Sequence, residues 1–317
     1  MALRSLRIEY GRYLVEVGGR LKDIVVLEAD LKESTQSVQF QKVYPERYLD
    51  VGVAEQNMVG IAAGLSLSGK IPIAHSFACF ISMRACEQVR TTVAYPNLNV
   101  KFLVTHGGIS TGTAGTTHHS VEDIAIIRSI PNMTVLVPGD VSEMKQVVDA
   151  ALAHRGPVYI RLGAGDAEDV YQDSTKFSIG KATMLRDGDD AAIITTGIMM
   201  VQGVRAAEQL AGKGIKARVM QMASVKPIDA DAVRKAALET GVIVTVEEHS
   251  VLGGLGGAVC EIVAETGAAI VKRIGINDRF CDIGSASCLM TEEGLSVQNI
   301  MKTVEDSVRR KASSYTL

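Results

Sequence analysis

The sequence predicts an α/β chain made of two parallel-sheet units. Three observations carry this. Strand-like and helix-like patterns alternate from end to end, as expected for a parallel sheet covered by helices on both faces. The strand-like runs are short and mostly apolar, as in residues 100–104 and 191–195. The length of 317 residues suits two domains better than one, and a Gly- and Asp-rich stretch divides the pattern near its middle.

In chain order, residues 6–17 read as a helix with apolar residues at helical spacing. Residues 23–29 are a short apolar strand, followed by a polar loop through Ser34 to Ser37. Residues 49–53 form the next strand. A helix then opens at Glu55 and runs through Gly60, Ala62, Ala63 and Gly64, small residues that allow close backbone approach. Residues 71–74 are a brief strand, and 80–93 are helical, with Arg84, Glu87 and Arg90 at helical spacing. A strand at 100–104 leads into a Gly/Thr/His loop at 106–120, then a short helix at 121–128, a strand at 134–137, a helix at 142–153 and a closing strand at 158–161. The Gly/Asp-rich stretch from 163 onward breaks the pattern and reads as a linker, so the expected division is 1–165, a linker at 166–190, and 191–317. Strands at 191–195, 216–220, 242–246 and 269–274 alternate with helices in the second unit, and a last helix covers 296–309. Residues 252–257 read as a tight strand-to-helix turn, because their glycines do not follow the G-x-G-x-x-G spacing of a dinucleotide loop.

Bulk properties narrow the function classes. Formal net charge is -3 and no run of Lys or Arg forms a stripe, which argues against nucleic acid as a partner. No apolar run is long enough to span a bilayer. Arg4, Arg7, Glu9 and Arg12 interrupt any signal-peptide core. The five cysteines include no C-x-x-C pair, so neither a disulfide framework nor a zinc knuckle is expected. A reduced, cytoplasmic protein is the expectation.

Four groups of residues could carry chemistry. Glu55 stands at a strand-to-helix join among apolar neighbours. It could complement the helix dipole, or it could be a half-buried acid sharing a proton with a bound heterocycle. Phe77 and Phe80 lie close together in a chain with only six Phe; they could be core, or offer a flat face to a planar ligand. The loop from His106 to His118 and His119 holds three of the six histidines and follows a strand, where open α/β sheets place their sites. Its histidines could cap backbone groups or act in a cleft; no acidic residue in it supports a metal site. Arg7, Asp30, Ser34 and Arg161 are scattered at element ends, and two arginines with a serine would suit a phosphate.

With these residues assembled, the chain resembles the C-terminal half of transketolase, and most of all the small subunit of split transketolases. The resemblance runs nearly end to end. It rests on Gly52-Val-Ala-Glu55-Gln-Asn-Met58, Ser76-Phe77 with Phe80, His106 with its loop to His118, Ile130-Pro-Asn-Met133, and Glu247-Glu-His249 with the glycines at 253–257. It implies a pyrimidine-binding domain of the thiamine diphosphate enzymes followed by a transketolase C-terminal domain. By that resemblance Glu55 contacts N1′ of the aminopyrimidine, Phe77 stacks on the ring beside Phe80, and Asp30 contacts the cofactor. His118 lies near the donor carbonyl, while His106, Arg7, Ser34 and Arg161 hold a sugar phosphate. The implied reaction passes a two-carbon unit from a ketose to an aldose. Two positions depart from the family pattern: Ala114 stands where an aspartate is usual, and Met83 replaces an aromatic. The family's Gly-Asp-Gly motif for the Mg²⁺-diphosphate is missing; residues 186–190 are not that motif. The resemblance therefore implies a partner, an N-terminal transketolase subunit that brings thiamine diphosphate's Mg²⁺ ligands, in an α₂β₂ heterotetramer with a homodimer of this chain. The competing readings are a 1-deoxyxylulose-5-phosphate synthase-like subunit, a 2-oxoacid dehydrogenase E1β-like subunit, and a non-catalytic assembly partner.

Overall fold

A computed structural model describes residues 3–171 and 175–314. Neighbouring residues on a strand point to opposite faces, and here both faces are apolar. Val26, Ile73 and Leu103 pack with Leu6, Tyr10 and Leu14 of the Leu6–Arg20 helix on one side. Leu27, Ala74 and Phe102 pack with Met58, Val59 and Ala62 of the Glu55–Leu67 helix on the other. The result is a helix–sheet–helix sandwich. Its seven strands run in the order Ser224–Lys226, Thr134–Leu136, Val158–Gly163, Lys101–Gly107, Ile71–Phe77, Ile24–Glu28 and Tyr48–Asp50. All neighbours are parallel except the first pair.

The second unit repeats the logic with five strands, in the order Ile270–Ile276, Val242–Ser250, Ala191–Thr195, Ala217–Gln221 and Thr183–Arg186. The Ala191–Thr195 strand is buried at every residue, as a central parallel strand with both faces covered must be. Among the described residues no helix is long and apolar enough to cross a membrane.

Several details differ from the sequence reading. The stretch expected to be a linker holds two short strands: Asp166–Glu168 pairs with Leu3–Ser5, and Thr183–Arg186 forms an antiparallel edge of the second sheet. The Ser224–Lys226 strand leaves the second unit to extend the first sheet. The Ile71–Phe77 strand is longer than expected, so Ser76 and Phe77 lie on it rather than after it. Residues 80–94 are helical but widened: the Ala85 amide reaches the Phe80 carbonyl and the Tyr95 amide reaches Arg90, both i→i+5 bonds, a distortion that recurs at functional sites.

The first helix packs closely because Gly18 has no side chain: a Cβ there would run into the Phe40 ring and lie 2.9 Å from Tyr44. Opening an ordinary helix position to Ala gains about 0.5–1 kcal/mol, whereas overpacking costs about 1–3 kcal/mol. Gly18→Ala should therefore lower the urea midpoint of the isolated chain. Gly60→Ala, on a helix face with nothing within 4 Å, should leave that midpoint unchanged or raise it.

Candidate functional site

The carboxyl ends of the parallel strands gather the candidate residues at one edge of the first sheet, as open α/β sheets do with their sites. Phe77 ends the Ile71–Phe77 strand and His106 nearly ends Lys101–Gly107, and these strands are neighbours. Their rings stack at 3.8 Å between centroids. Phe80 stacks on Phe77 at 5.7 Å, and His118 stands edge-on to both, 6.0 Å from Phe77 and 5.6 Å from Phe80. Phe77 is nearly buried under His106, whereas Phe80 is only partly buried. Phe77, expected to stack on a planar ligand, is thus covered by His106 within this chain, and Phe80 is the more exposed of the two rings.

Glu55 is the first residue of the Glu55–Leu67 helix and is fully buried. One carboxylate oxygen accepts from Ser76 Oγ at 3.2 Å, the other from Arg84 Nη1 at 2.6 Å. The Arg84 guanidinium also lies over the Phe80 ring, 4.5 Å from its centroid. A planar cation here stacks on an aromatic face and donates to a buried carboxylate at the same time. In the sequence Arg84 stands out only for its helical spacing with Glu87 and Arg90; its link to Glu55, 29 residues away, appears only in the fold.

His106 sits in the left-handed region at φ 61 and bonds Thr105 Oγ1 through Nδ1 at 2.8 Å. Burial, with the charges of Arg7 and His118, lowers its pKa to about 3, so it is a neutral imidazole. Arg7 donates from Nη1 to the main-chain carbonyl of Ser34 at 2.7 Å. Its Nε is buried with no hydrogen-bond partner, and burial lowers the guanidinium's pKa. A buried donor left over demands an acceptor, and an anion is the natural one for a guanidinium. The Ser34 carbonyl thus holds Arg7, and the next residues of this loop are held by Glu28. That carboxylate accepts from Thr35 and Ser37 at 2.6 Å each, and burial pushes its pKa up to about 7.

Two candidates stand apart. Asp30 is exposed, and its amide bonds Asp50 Oδ1 at 3.1 Å; no hydrogen bond or ion pair joins it to the rings. Arg161, expected among the phosphate residues, is held by contacts within the chain. Its guanidinium is buried and already engaged, donating to Asp123 Oδ2 at 2.8 Å and to the carbonyls of Ser120 and Glu248 at 3.1 and 3.0 Å. Burial works against its charge, but Asp123 and Glu248 outweigh it and hold the pKa above the usual arginine value. Ala114 is exposed on a short turn, and Met83 is about half exposed beside Arg84. Among the described residues, no group of three or more His, Cys, Asp or Glu is placed to hold a metal ion.

Comparison with known proteins agrees with this architecture. Residues 5–168 match the transketolase pyrimidine binding domain and residues 180–300 the transketolase C-terminal domain. A protein of Methanocaldococcus jannaschii named for the C-terminal section of transketolase is 44% identical, covering 97% of this chain and 98% of its own. The 6-deoxy-6-sulfo-D-fructose transketolase subunit of a Clostridium species is 42% identical, over 96% of this chain and 95% of its own. Among solved structures, a split-gene transketolase described as an inactive beta4 tetramer superposes with a TM-score of 0.87 at 42% identity, covering 96% of this chain and 98% of that one.

Breaking a buried ion pair by removing one partner costs about 3–5 kcal/mol. Arg161→Ala should therefore show a loss of that size in urea unfolding, and should impair phosphorylated and unphosphorylated donors alike. A loss confined to phosphorylated donors would instead place Arg161 in the phosphate set. For His106, NMR titration should find the ring neutral down to pH 5, with Arg7→Ala raising its midpoint. A histidine depressed in this way favours the fold above the ordinary value of about 6.5, and that contribution is lost as pH falls toward 3.

Proposed function

Because this chain belongs to the transketolase family, as the C-terminal subunit of a split enzyme, we propose that it supplies the aminopyrimidine side of a thiamine diphosphate site. The observation that carries the reading is the Glu55–Arg84–Phe80 arrangement. The guanidinium makes the two contacts that a flat, protonatable ring would need, so the residues present fit an aminopyrimidine. When bound, thiamine diphosphate supplies the electron sink that lets a two-carbon unit leave a ketose and reach an aldose.

The chain's own residues have distinct tasks in this proposal. Phe80 floors the ring, backed by Phe77. Glu55 holds the proton shared with ring nitrogen N1′, in a place where water is excluded and the carboxyl is fixed by Ser76. Arg84 must yield that place, because a cation at 2.6 Å competes with a ring for the same oxygen. His118 faces the reacting end of the sugar, and neutral His106 offers a hydrogen bond without charge. Arg7, with its unsatisfied Nε, holds an anionic tail. That tail is a phosphate or, as in the relative named for 6-deoxy-6-sulfo-D-fructose, a sulfonate. The exposed methyl of Ala114 reads no acceptor hydroxyl, which relaxes discrimination there.

A second chain completes the site. It brings the diphosphate contacts and the Mg²⁺ ligands, and the assembly is an α₂β₂ heterotetramer. The apolar surface around Glu55 supports this, since Val53 is 71% and Leu67 74% exposed, with Gly60 and Gly64 open between them.

Reconstitution with the N-terminal subunit, thiamine diphosphate and Mg²⁺ tests the proposal. The complex should transfer a two-carbon unit between sugar phosphates, and Glu55→Gln should lose turnover by about 10²-fold or more, as for a lost acid-base group. Turnover with pyruvate as donor instead would favour the 1-deoxyxylulose-5-phosphate synthase-like reading. Calorimetry on the isolated chain should find weak cofactor binding, and activity without a partner would defeat the proposal.

A further inference from the structure

Glu248 belongs to the second unit, on the Val242–Ser250 strand, yet its carboxylate lies beneath a loop of the first. Oε1 accepts from the amides of Ile109 and Ser110 at 2.7 and 2.6 Å. The side chain is almost wholly buried. Gly108, between His106 and these amides, has φ +82, and a Cβ there would collide with the Glu248 carboxyl group. The loop backbone rests directly on the carboxylate, and only glycine allows it.

A second contact closes the same loop. The Gly108 amide donates to the Ser120 carbonyl at 2.7 Å and the Ser120 amide returns a bond at 3.0 Å. Arg161 Nη2 then bonds both the Ser120 carbonyl and the Glu248 carbonyl. The neck is thus held by Glu248 at the Ile109 and Ser110 amides and by Arg161 at the Ser120 carbonyl. His106 lies just before the neck, and His118 just ahead of Ser120.

We propose that Glu248 is a positioning residue: from the second unit it fixes the neck of the 107–120 loop and thereby sets His106 against Phe77 and His118 against Phe80. A carboxylate suits the task because two amides converge on one oxygen, and bonds to an ionised acceptor are the strong ones. Burial pushes its pKa up to about 7, opposed first by Arg161 and then by the Ser110 and Ile109 bonds. The inference borrows from the proposed function only the importance of the two imidazoles; the geometry stands without it.

The test is NMR on the isolated chain. An imidazole stacked 3.8 Å from Phe77 carries a large ring-current shift. In Glu248→Gln the His106 ring signals should move toward their unstacked positions, and hydrogen exchange at Ile109 and Ser110 should rise about tenfold or more. Exchange in the Ala191–Thr195 strand should stay unchanged. Glu248→Asp, which keeps the charge but falls short by a methylene, should shift the same signals less, and it serves alone if Glu248→Gln does not fold. Unchanged His106 and His118 signals in a folded variant would overturn the proposal, as would exchange rising equally across the second sheet. Neither readout needs a cofactor or a partner. Failure of the reconstituted wild type to turn over would count against the proposed function and leave this result standing.

Discussion

Two charges without access to water face each other in the first unit, Arg161 and Asp123, 2.8 Å apart and both buried. Desolvation makes such a pair costly unless its remaining donors and lone pairs find partners. That requirement is met in part. The same Asp123 oxygen takes the Tyr159 hydroxyl at 2.8 Å, and the guanidinium reaches the carbonyls of Ser120 and Glu248. A strand, the end of a loop and the second unit meet at this guanidinium through Nε and Nη2, while Asp123 Oδ1 is buried without a hydrogen-bond partner.

The ring cluster follows a different rule. Its members are weakly polar and stack, and its charges are arranged around the rim. Burial, helped by the nearby charge of Arg7, depresses the His106 pKa, so the imidazole beside the rings stays neutral, and Arg7 keeps an Nε donor without a partner. Glu55 is fully buried and paired with the partly exposed Arg84. The arrangement sets a buried carboxylate apart from a guanidinium with a donor to spare, and the proposed sugar, with an anionic tail and a reacting carbonyl, would use that separation.

Much of this was legible in the sequence. Alternating short strands and helices fixed a parallel sheet, and residues just after such strands gather at one edge. That is why Glu55, Phe77, Phe80, His106 and His118 could be picked out and do converge. What stayed hidden depended on long-range partners. Arg161 resembles any arginine at a strand end until Asp123 and the carbonyls of Ser120 and Glu248 surround it. The bond from Arg7 to Ser34 was hidden too, because it goes to the carbonyl, a group every residue carries. The strands at Asp166–Glu168, Thr183–Arg186 and Ser224–Lys226 are too short to show a period, and each exists because a neighbouring edge accepts it.

The two units also depend on each other in a way neither sheet explains alone. The Ser224–Lys226 strand extends the first sheet, and Lys226 Nζ caps the carbonyls of Arg128 and Ile130 at 2.9 and 2.5 Å. Gln221 donates to Glu143, a carboxylate buried in the first unit whose pKa burial pushes up to about 7. Glu248 reaches the loop neck from the same side. A second unit attached only by an apolar face could slide, because hydrophobic contact is non-directional. Hydrogen bonds to buried carbonyls, amides and carboxylates are directional, and leaving one unmade is costly. They fix one relative placement of the units, and with it one placement of the loop that carries His106 and His118.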